Sequence, residues 1–422
     1  MTAPRTPFPI PRRGLIGFAL GALAAVGVAI ALLAGRSASA IAESPAGTQP
    51  HHVRVVWTES PKDSATIAWS TREPGATHRV LLDREPRAGD RARYERTVVA
   101  TRNGDYARLP EEASLAFHHA VVDGLQPSTT YWFVVESDGV ASPERHFVTA
   151  PADTRAFALL AGSDSRSDRA QRRAMNGLLR ARFEADEQVI ALLHGGDYVY
   201  DGLSLELFAE WLSDHELTTT SAGRVLPIIP TRGNHESRGE LFDQVFGWPG
   251  GPVGRNWFAC RLGAETLLLV LNTETALGGD QADFVRDSLE TARDRRWLLA
   301  SYHQPAFPAV KDPSPALEHW VPLFEEYRVD LVVESDGHVQ KRTVPIRGGR
   351  AGPDGVVYIG EGGLGVRQRS PDATRWFLQE PGFARRGHHV WRIGIGADAI
   401  ELEAYGEDGA RTDAARISGK RE

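Results

Sequence analysis

A chain of 422 residues exceeds one ordinary domain and suits two. Its hydrophobic content of 41% suffices for packed cores, and no repeat or low-complexity tract argues otherwise. Cys260 is the only cysteine, which excludes an intrachain disulfide and a thiolate metal cluster. Without residues 1–40, which carry four Arg and no acid, the formal charge of −7 becomes −11. So acidic a body is poorly suited to nucleic acid or anionic membrane surfaces.

The first forty residues read as an export signal or a membrane anchor. Arg5, Arg12 and Arg13 precede an uncharged stretch from Gly14 to Gly35, and Arg36 leads into Ser37-Ala38-Ser39-Ala40. A basic start, an apolar middle and an Ala-x-Ala site form a cleavable signal. The apolar stretch is also long enough to span a bilayer if it is not removed. Arg12-Arg13-Gly14-Leu15-Ile16 resembles a twin-arginine signal, with Pro11 where Ser or Thr is usual. Export places the protein in the periplasm, outside the cell, or anchored on the outer side of the cytoplasmic membrane; contact with membrane is confined to residues 14–35.

A linker over 41–52 leads into an all-β segment, 53–150. Val53, Val55 and Trp57 alternate, followed by Ile67 and Trp69 and by Val80 and Leu82, with Gly and Pro between the runs. Leu125-Gln126-Pro127-Ser128-Thr129-Thr130-Tyr131 resembles the tyrosine corner of fibronectin type III-like sandwiches. The pairs His51-His52 and His118-His119 read as surface histidines, and Thr149-Ala150-Pro151 as the exit from the sandwich.

From 151 to 418 the pattern is α/β. Helical stretches over Arg169–Phe183, Leu203–Asp214, Gly279–Arg295 and Pro315–Tyr327 alternate with apolar runs, and strands close the chain at Val356–Ile359, His389–Ile395 and Ile400–Tyr405. Most of Arg169, Arg172, Arg173, Arg180 and Arg182 are expected on a solvated helix face.

Five short segments follow apolar runs in this half: Gly162-Ser163-Asp164-Ser165-Arg166, Gly196-Asp197-Tyr198-Val199-Tyr200, Gly233-Asn234-His235-Glu236, Tyr302-His303-Gln304-Pro305 and Asp336-Gly337-His338. Ligands gather at the carboxyl ends of strands in helix-covered sheets. Five such ends presenting Asp, Asp, Tyr, Asn, His, Asp and His are laid out as a two-metal site, where one carboxylate bridges two cations that activate water against a phosphate ester.

At these residues the chain resembles the metallophosphoesterases, and within them the purple acid phosphatases, from about residue 50 to residue 415. The resemblance implies two packed sheets flanked by helices, behind an N-terminal fibronectin-like sandwich. It also implies ligands. Asp164, the bridging Asp197, Tyr200 and His338 would hold the first metal; Asp197, Asn234, His303 and Asp336 would hold the second. His235 would be the catalytic acid, oriented by Glu236, with His194 a strand-end histidine. Arg166 stands where relatives carry Gly or His and would face the phosphate.

The last motif departs from the usual Gly-His-x-His. Anchoring without gaps on Arg342-Thr343-Val344-Pro345 puts Asp336 at the first His and His338 at the second, leaving Gln340 outside the set. Tyr200 as phenolate implies Fe at the first site, and Asp336 tilts the second toward Mn, Fe or Mg relative to Zn. The function implied is hydrolysis of small phosphate monoesters by a metal-activated hydroxide. A phosphodiesterase on the same scaffold and a non-catalytic surface protein with a degenerate site are the alternatives.

Overall fold

The computed structural model describes residues 40–248 and 255–420. The stretch 14–35 lies outside them, and among the described residues no helix is long and apolar enough to cross a membrane.

Each of the five apolar runs becomes a strand: Phe157–Gly162, Val189–His194, Ile228–Pro230, Trp297–Ser301 and Leu331–Glu334. The first three pair in parallel, with Leu193 opposite both Ala161 and Ile229; the last two pair likewise, with Ala300 opposite Val332. Their period of two sorts the side chains. Leu159 and Ala161 face inward and share a core with Leu299, Leu331 and Val333 of the other sheet. Ala158 and Leu160 face outward onto Met175, Leu179 and Phe183 of the helix Arg169–Ala185. Helices bearing Val285, Leu289, Leu323 and Phe324 cover the opposite outer face. The result is helix, sheet, sheet, helix, with the carboxyl ends of five buried strands on one edge.

Two boundaries shift for backbone reasons. The third strand opens at Ile228, three residues into the apolar run Val225–Ile229, because Pro227 has no N–H for the ladder. The stretch Pro315–Tyr327 forms two short helices, Ala316–His319 and Val321–Glu326, parted at Trp320 ahead of Pro322.

The N-terminal segment forms a sandwich, and its corner is as expected: the Tyr131 hydroxyl accepts a hydrogen bond from Gln126 N at 2.8 Å. One of its sheets continues into the catalytic half. His51–Val56 pairs in parallel with Ile228–Pro230, Val56 opposite Ile228, so a single ten-stranded sheet runs through both parts. Glu112 reinforces the junction by accepting from Leu205 N at 2.9 Å and Ser204 Oγ at 2.5 Å, where helix Leu205–His215 begins.

Because the sheet is continuous, the paired histidines are buried, not on the surface. His52 Nε2 meets Ser213 Oγ at 2.9 Å, His119 Nε2 meets the Gln244 carbonyl at 2.7 Å, and His118 stacks on His78 at 3.7 Å. Burial holds the His51 imidazole down at about 4 and that of His118 at about 3, with His52 and His119 also well below the usual range.

Of the arginine face only Arg172 is buried, with Arg169 and Arg182 half-buried and Arg173 and Arg180 exposed. Arg169, Arg172 and Arg173 converge on the buried Asp214, and Arg172 also donates to the Ser165 carbonyl at 3.2 Å. Arg182 lies over the Tyr405 ring. An acid on the neighbouring helix, invisible to local periodicity, draws Arg172 inward and pairs with Arg169 and Arg173 at the surface.

The histidines set a pH limit. Their folded pKa values lie below the unfolded value of about 6.5, so below that pH the unfolded chain binds more protons and stability falls, by up to about 1.4 kcal/mol per pH unit per group. The melting temperature should be level above pH 7 and drop steadily from pH 6.5 to 4.5. A level profile down to pH 4.5 would show that these rings are not held neutral.

Candidate metal centre

Loops leaving the two sheets at their shared edge bring Asp164, Asp197, His303 and Asp336 together, all buried, with one ligand atom from each lying within 4.8 Å of the others. Backbone conformation aims them. Asp164, Asp197, Asp336 and His338 all have positive φ, between 57° and 68°, in the left-handed region that side chains other than Gly seldom occupy. Each such residue costs on the order of 1 kcal/mol. Gly362, at φ 89°, packs under Asp164, where a Cβ would come within 2.3 Å of Oδ2.

The imidazoles are oriented by their far nitrogens. His303 Nδ1 contacts the Gly195 carbonyl at 2.8 Å, leaving Nε2 3.2 Å from Asp197 Oδ1 and 3.1 Å from Asn234 Oδ1. His338 Nδ1 faces the Arg367 carbonyl at 3.3 Å, and its Nε2 stands 3.3 Å from Asp164 Oδ1. A carbonyl partner at Nδ1 leaves Nε2 as the lone-pair donor, the form that binds a metal. Gln340 points away, bonded to Thr412 and Arg385.

Three carboxylates this close repel one another by about 4 kcal/mol per pair at an effective dielectric near 20. Two basic side chains relieve part of this. Arg166 Nε donates to Asp197 Oδ2 at 2.9 Å, and Lys311 Nζ to Asp336 Oδ1 at 2.5 Å. Burial works against charge on both Asp197 and His303. Even so, His303, His235 and Arg166 depress the Asp197 carboxyl, and the surrounding aspartates raise the His303 imidazole well above its usual range. Asp164 Oδ1 is buried without a hydrogen-bond partner. Hard oxygens and two nitrogens around an unsatisfied carboxylate oxygen fit a divalent or trivalent cation.

Two expected residues sit elsewhere. Tyr200 is 49% exposed, its ring 5.4 Å from that of His235 and 5.9 Å from the Arg166 guanidinium carbon, and its hydroxyl bonds to none of the other candidates. Glu236 does not orient His235. It is wholly buried and accepts from the backbone N–H of Asp197, Tyr198, Val199 and Gly233 at 2.9–3.2 Å, fixing the loop that carries Asp197. His235 is instead held by Nδ1 on the Tyr200 carbonyl at 2.5 Å, with Nε2 3.8 Å from Asp197 Oδ2. His194 is a strand-end histidine, buried against Tyr198 and hydrogen-bonded to Ser165 Oγ.

Sequence reasoning missed Lys311 and the support beneath Asp336 and His338. There the fully buried Lys341 lies 2.5 Å from Glu334 and 2.6 Å from Glu361, whose carbonyl accepts from His338 N at 2.6 Å. No spacing signals these residues; the fold alone unites them.

The ungapped alignment has a direct test. Asp336→Ala should lower bound metal per chain, whereas Gln340→Ala should leave it near wild type by elemental analysis. The reverse order would move the ligand role to Gln340.

Residues 50–149 match the family model of the purple acid phosphatase N-terminal domain, and residues 166–340 that of the calcineurin-like phosphoesterases. An uncharacterized protein of Mycobacterium tuberculosis is 24% identical over 323 residues, covering 67% of this chain and 60% of its own length. The chain thus spans well under two thirds of that relative. Purple acid phosphatase 18 of Arabidopsis thaliana is 22% identical, over 74% of this chain and 68% of its own. Among solved structures, the purple acid phosphatase PPD1 from yellow lupin seeds superposes with a TM-score of 0.72 at 17% identity, covering 88% of this chain and 74% of that one. PhoD superposes with a TM-score of 0.62 at 14% identity, covering 90% and 95%. With a purple acid phosphatase N-terminal domain, a calcineurin-like phosphoesterase domain and the fold of both, the chain belongs to the metallophosphoesterase superfamily and is purple acid phosphatase-like.

Proposed function

We propose that this chain is an exported hydrolase of phosphate monoesters that works with two metal ions. The observation that carries the reading is the convergence of the buried Asp164, Asp197, His303 and Asp336, with one ligand atom of each within 4.8 Å of the others. Asp164, Asp197 and His338 would hold one ion, and Asp197, Asn234, His303 and Asp336 the other. Bound cations supply Lewis acidity, offsetting phosphoryl charge and making water acidic enough to attack.

The protein's own part is positional. Arg166, now on Asp197, is placed to turn its guanidinium toward a phosphoryl oxygen. His235, with Nδ1 donating to the Tyr200 carbonyl, would present an Nε2 proton on the Asp197 side. That proton passes to the leaving oxygen as the ester P–O bond breaks and water's oxygen bonds to phosphorus. Export rests on residues 1–40, of which 1–39 lie outside the described residues.

His235→Ala should keep normal metal content and lower turnover of a chromogenic monoester by roughly 10²–10⁴-fold. Loss of metal in that variant would instead make His235 a ligand. Turnover of the matching diester above that of the monoester would replace a phosphatase with a phosphodiesterase.

Tyr200 tests the identity of the first ion. As a phenolate on Fe(III) it should give the oxidised, iron-loaded protein a broad visible absorption band that Tyr200→Phe removes. An iron-loaded protein with no such band would leave Tyr200 at the rim, stacked near His235 and Arg166, and the centre a plain divalent one.

A further inference from the structure

A cavity of about 610 Å³ opens beside the centre and shares with it the side chains of Arg166 and His338. Its remaining wall is formed largely by one loop, Val366 to Ser370, together with Val310 and Arg386. Four arginines, Arg166, Arg367, Arg369 and Arg386, line it, and no acidic side chain does. That is an unusual concentration in a body of formal charge −11, where a random patch would be acidic. Clustered like charges cost repulsion unless an anion offsets them.

The four are not equivalent. Arg166 is tied to Asp197, and Arg369 donates to the Asp336 carbonyl at 3.0 Å, so both are fixed to the ligand loops. Arg367 and Arg386 are exposed, and their guanidinium groups have no acid or carbonyl partner among the described residues. Two forks held near the centre and two free to close upon a ligand make a receptor for a planar or tetrahedral oxyanion, which Arg binds through paired N–H donors. The volume is that of a small-molecule site.

We propose that this cavity is the leaving-group subsite, and that the preferred substrates are organic esters whose leaving group carries a second phosphate. The proposal rests on the phosphatase reading above: the scissile phosphate lies at the metal centre, and the second on Arg367, Arg369 and Arg386. The chemistry is unchanged, since water's oxygen joins phosphorus and the leaving oxygen takes the proton from His235. Only recognition is added, and it should appear chiefly in KM, because the second phosphate is bound alike before and during the reaction.

The test uses the metal-loaded full-length protein and the double variant Arg367→Gln/Arg386→Gln, whose exposed positions spare the core. Phosphate release is measured from butane-1,4-diol bisphosphate and from butyl phosphate. Wild type should favour the bisphosphate by about tenfold or more in kcat/KM, and the double variant should lose most of that preference. A wild-type preference of only about two, the statistical factor for two equivalent ends, would overturn the proposal, as would a ratio unmoved by the substitutions. Calorimetric binding of inorganic tripolyphosphate needs no turnover and should weaken roughly tenfold in the variant. Equal binding would overturn the subsite. Should neither ester be hydrolysed while tripolyphosphate binding still depends on the arginines, the phosphatase reading falls and the anion subsite stands.

Discussion

Repulsion among Asp164, Asp197 and Asp336 is the constraint around which the catalytic half is organised. Three buried carboxylates with oxygens inside 4.8 Å would, left to relax, move apart or take up protons. Several features oppose that movement. Two sheets bring their strand ends to one edge, so the loops start already close. Four residues in the left-handed region then turn back toward a common point. Glu236 grips the Asp197 loop through four backbone N–H groups, and burial and the nearby Asp197 charge push its own carboxyl up to about 8. Strain, buried acids and backbone bonds are all directed at a charge density that only cations satisfy.

The same logic explains the layer beneath Asp336 and His338. Lys341 is completely buried, a costly position for an ammonium unless it is paired. Glu334 and Glu361 pair it, and each carboxylate also accepts from backbone in the loop after His303: Ala306 N at 2.6 Å for Glu334 and Ala309 N at 2.9 Å for Glu361. The ionic trio thereby ties two ligand-bearing loops to one another. Gly337 is required here, since a Cβ at that position would fall 1.6 Å from Glu361 Oε2. A glycine that reads in sequence as a spacer between Asp336 and His338 is in fact the contact surface of the support.

How much of this could be read from the chain depends on whether the signal is local. Apolar runs of four or five residues announced the strands, and the residues just beyond them announced the candidates, because a buried strand and its exit loop are contiguous. Asp164, Asp197, Asn234, His303, Asp336 and His338 became candidates that way. Pairings across long separations were not: Lys311 with Asp336, Arg172 with Asp214, and Glu112 with Leu205 leave no periodic trace. Tyr200 shows the limit of a spacing signal. Its spacing from Asp197 matches a family ligand, yet Tyr198, two residues earlier, is the aromatic that is buried against Trp211 and Phe246, while Tyr200 stands at the rim. Motif spacing fixes which residues are near an edge and says little about which way a side chain turns.

Continuity of the sheet through both halves carries a consequence for working conditions. Buried neutral rings in the sandwich, His52 and His119 among them, contact residues of the catalytic half, Ser213 and the Gln244 carbonyl. Acid that protonates them loosens the wall against which the centre is built. Acid also competes directly at the centre, where carboxylates must be ionised and imidazoles neutral to hold metal. The junction histidines begin to act as pH falls below about 6.5, and acid competition at the centre adds to their effect. A relative adapted to strongly acidic surroundings would have to replace the junction histidines as well as tighten its ligands. In this chain the histidines remain, and they favour a folded sandwich at neutral pH over an acidic one.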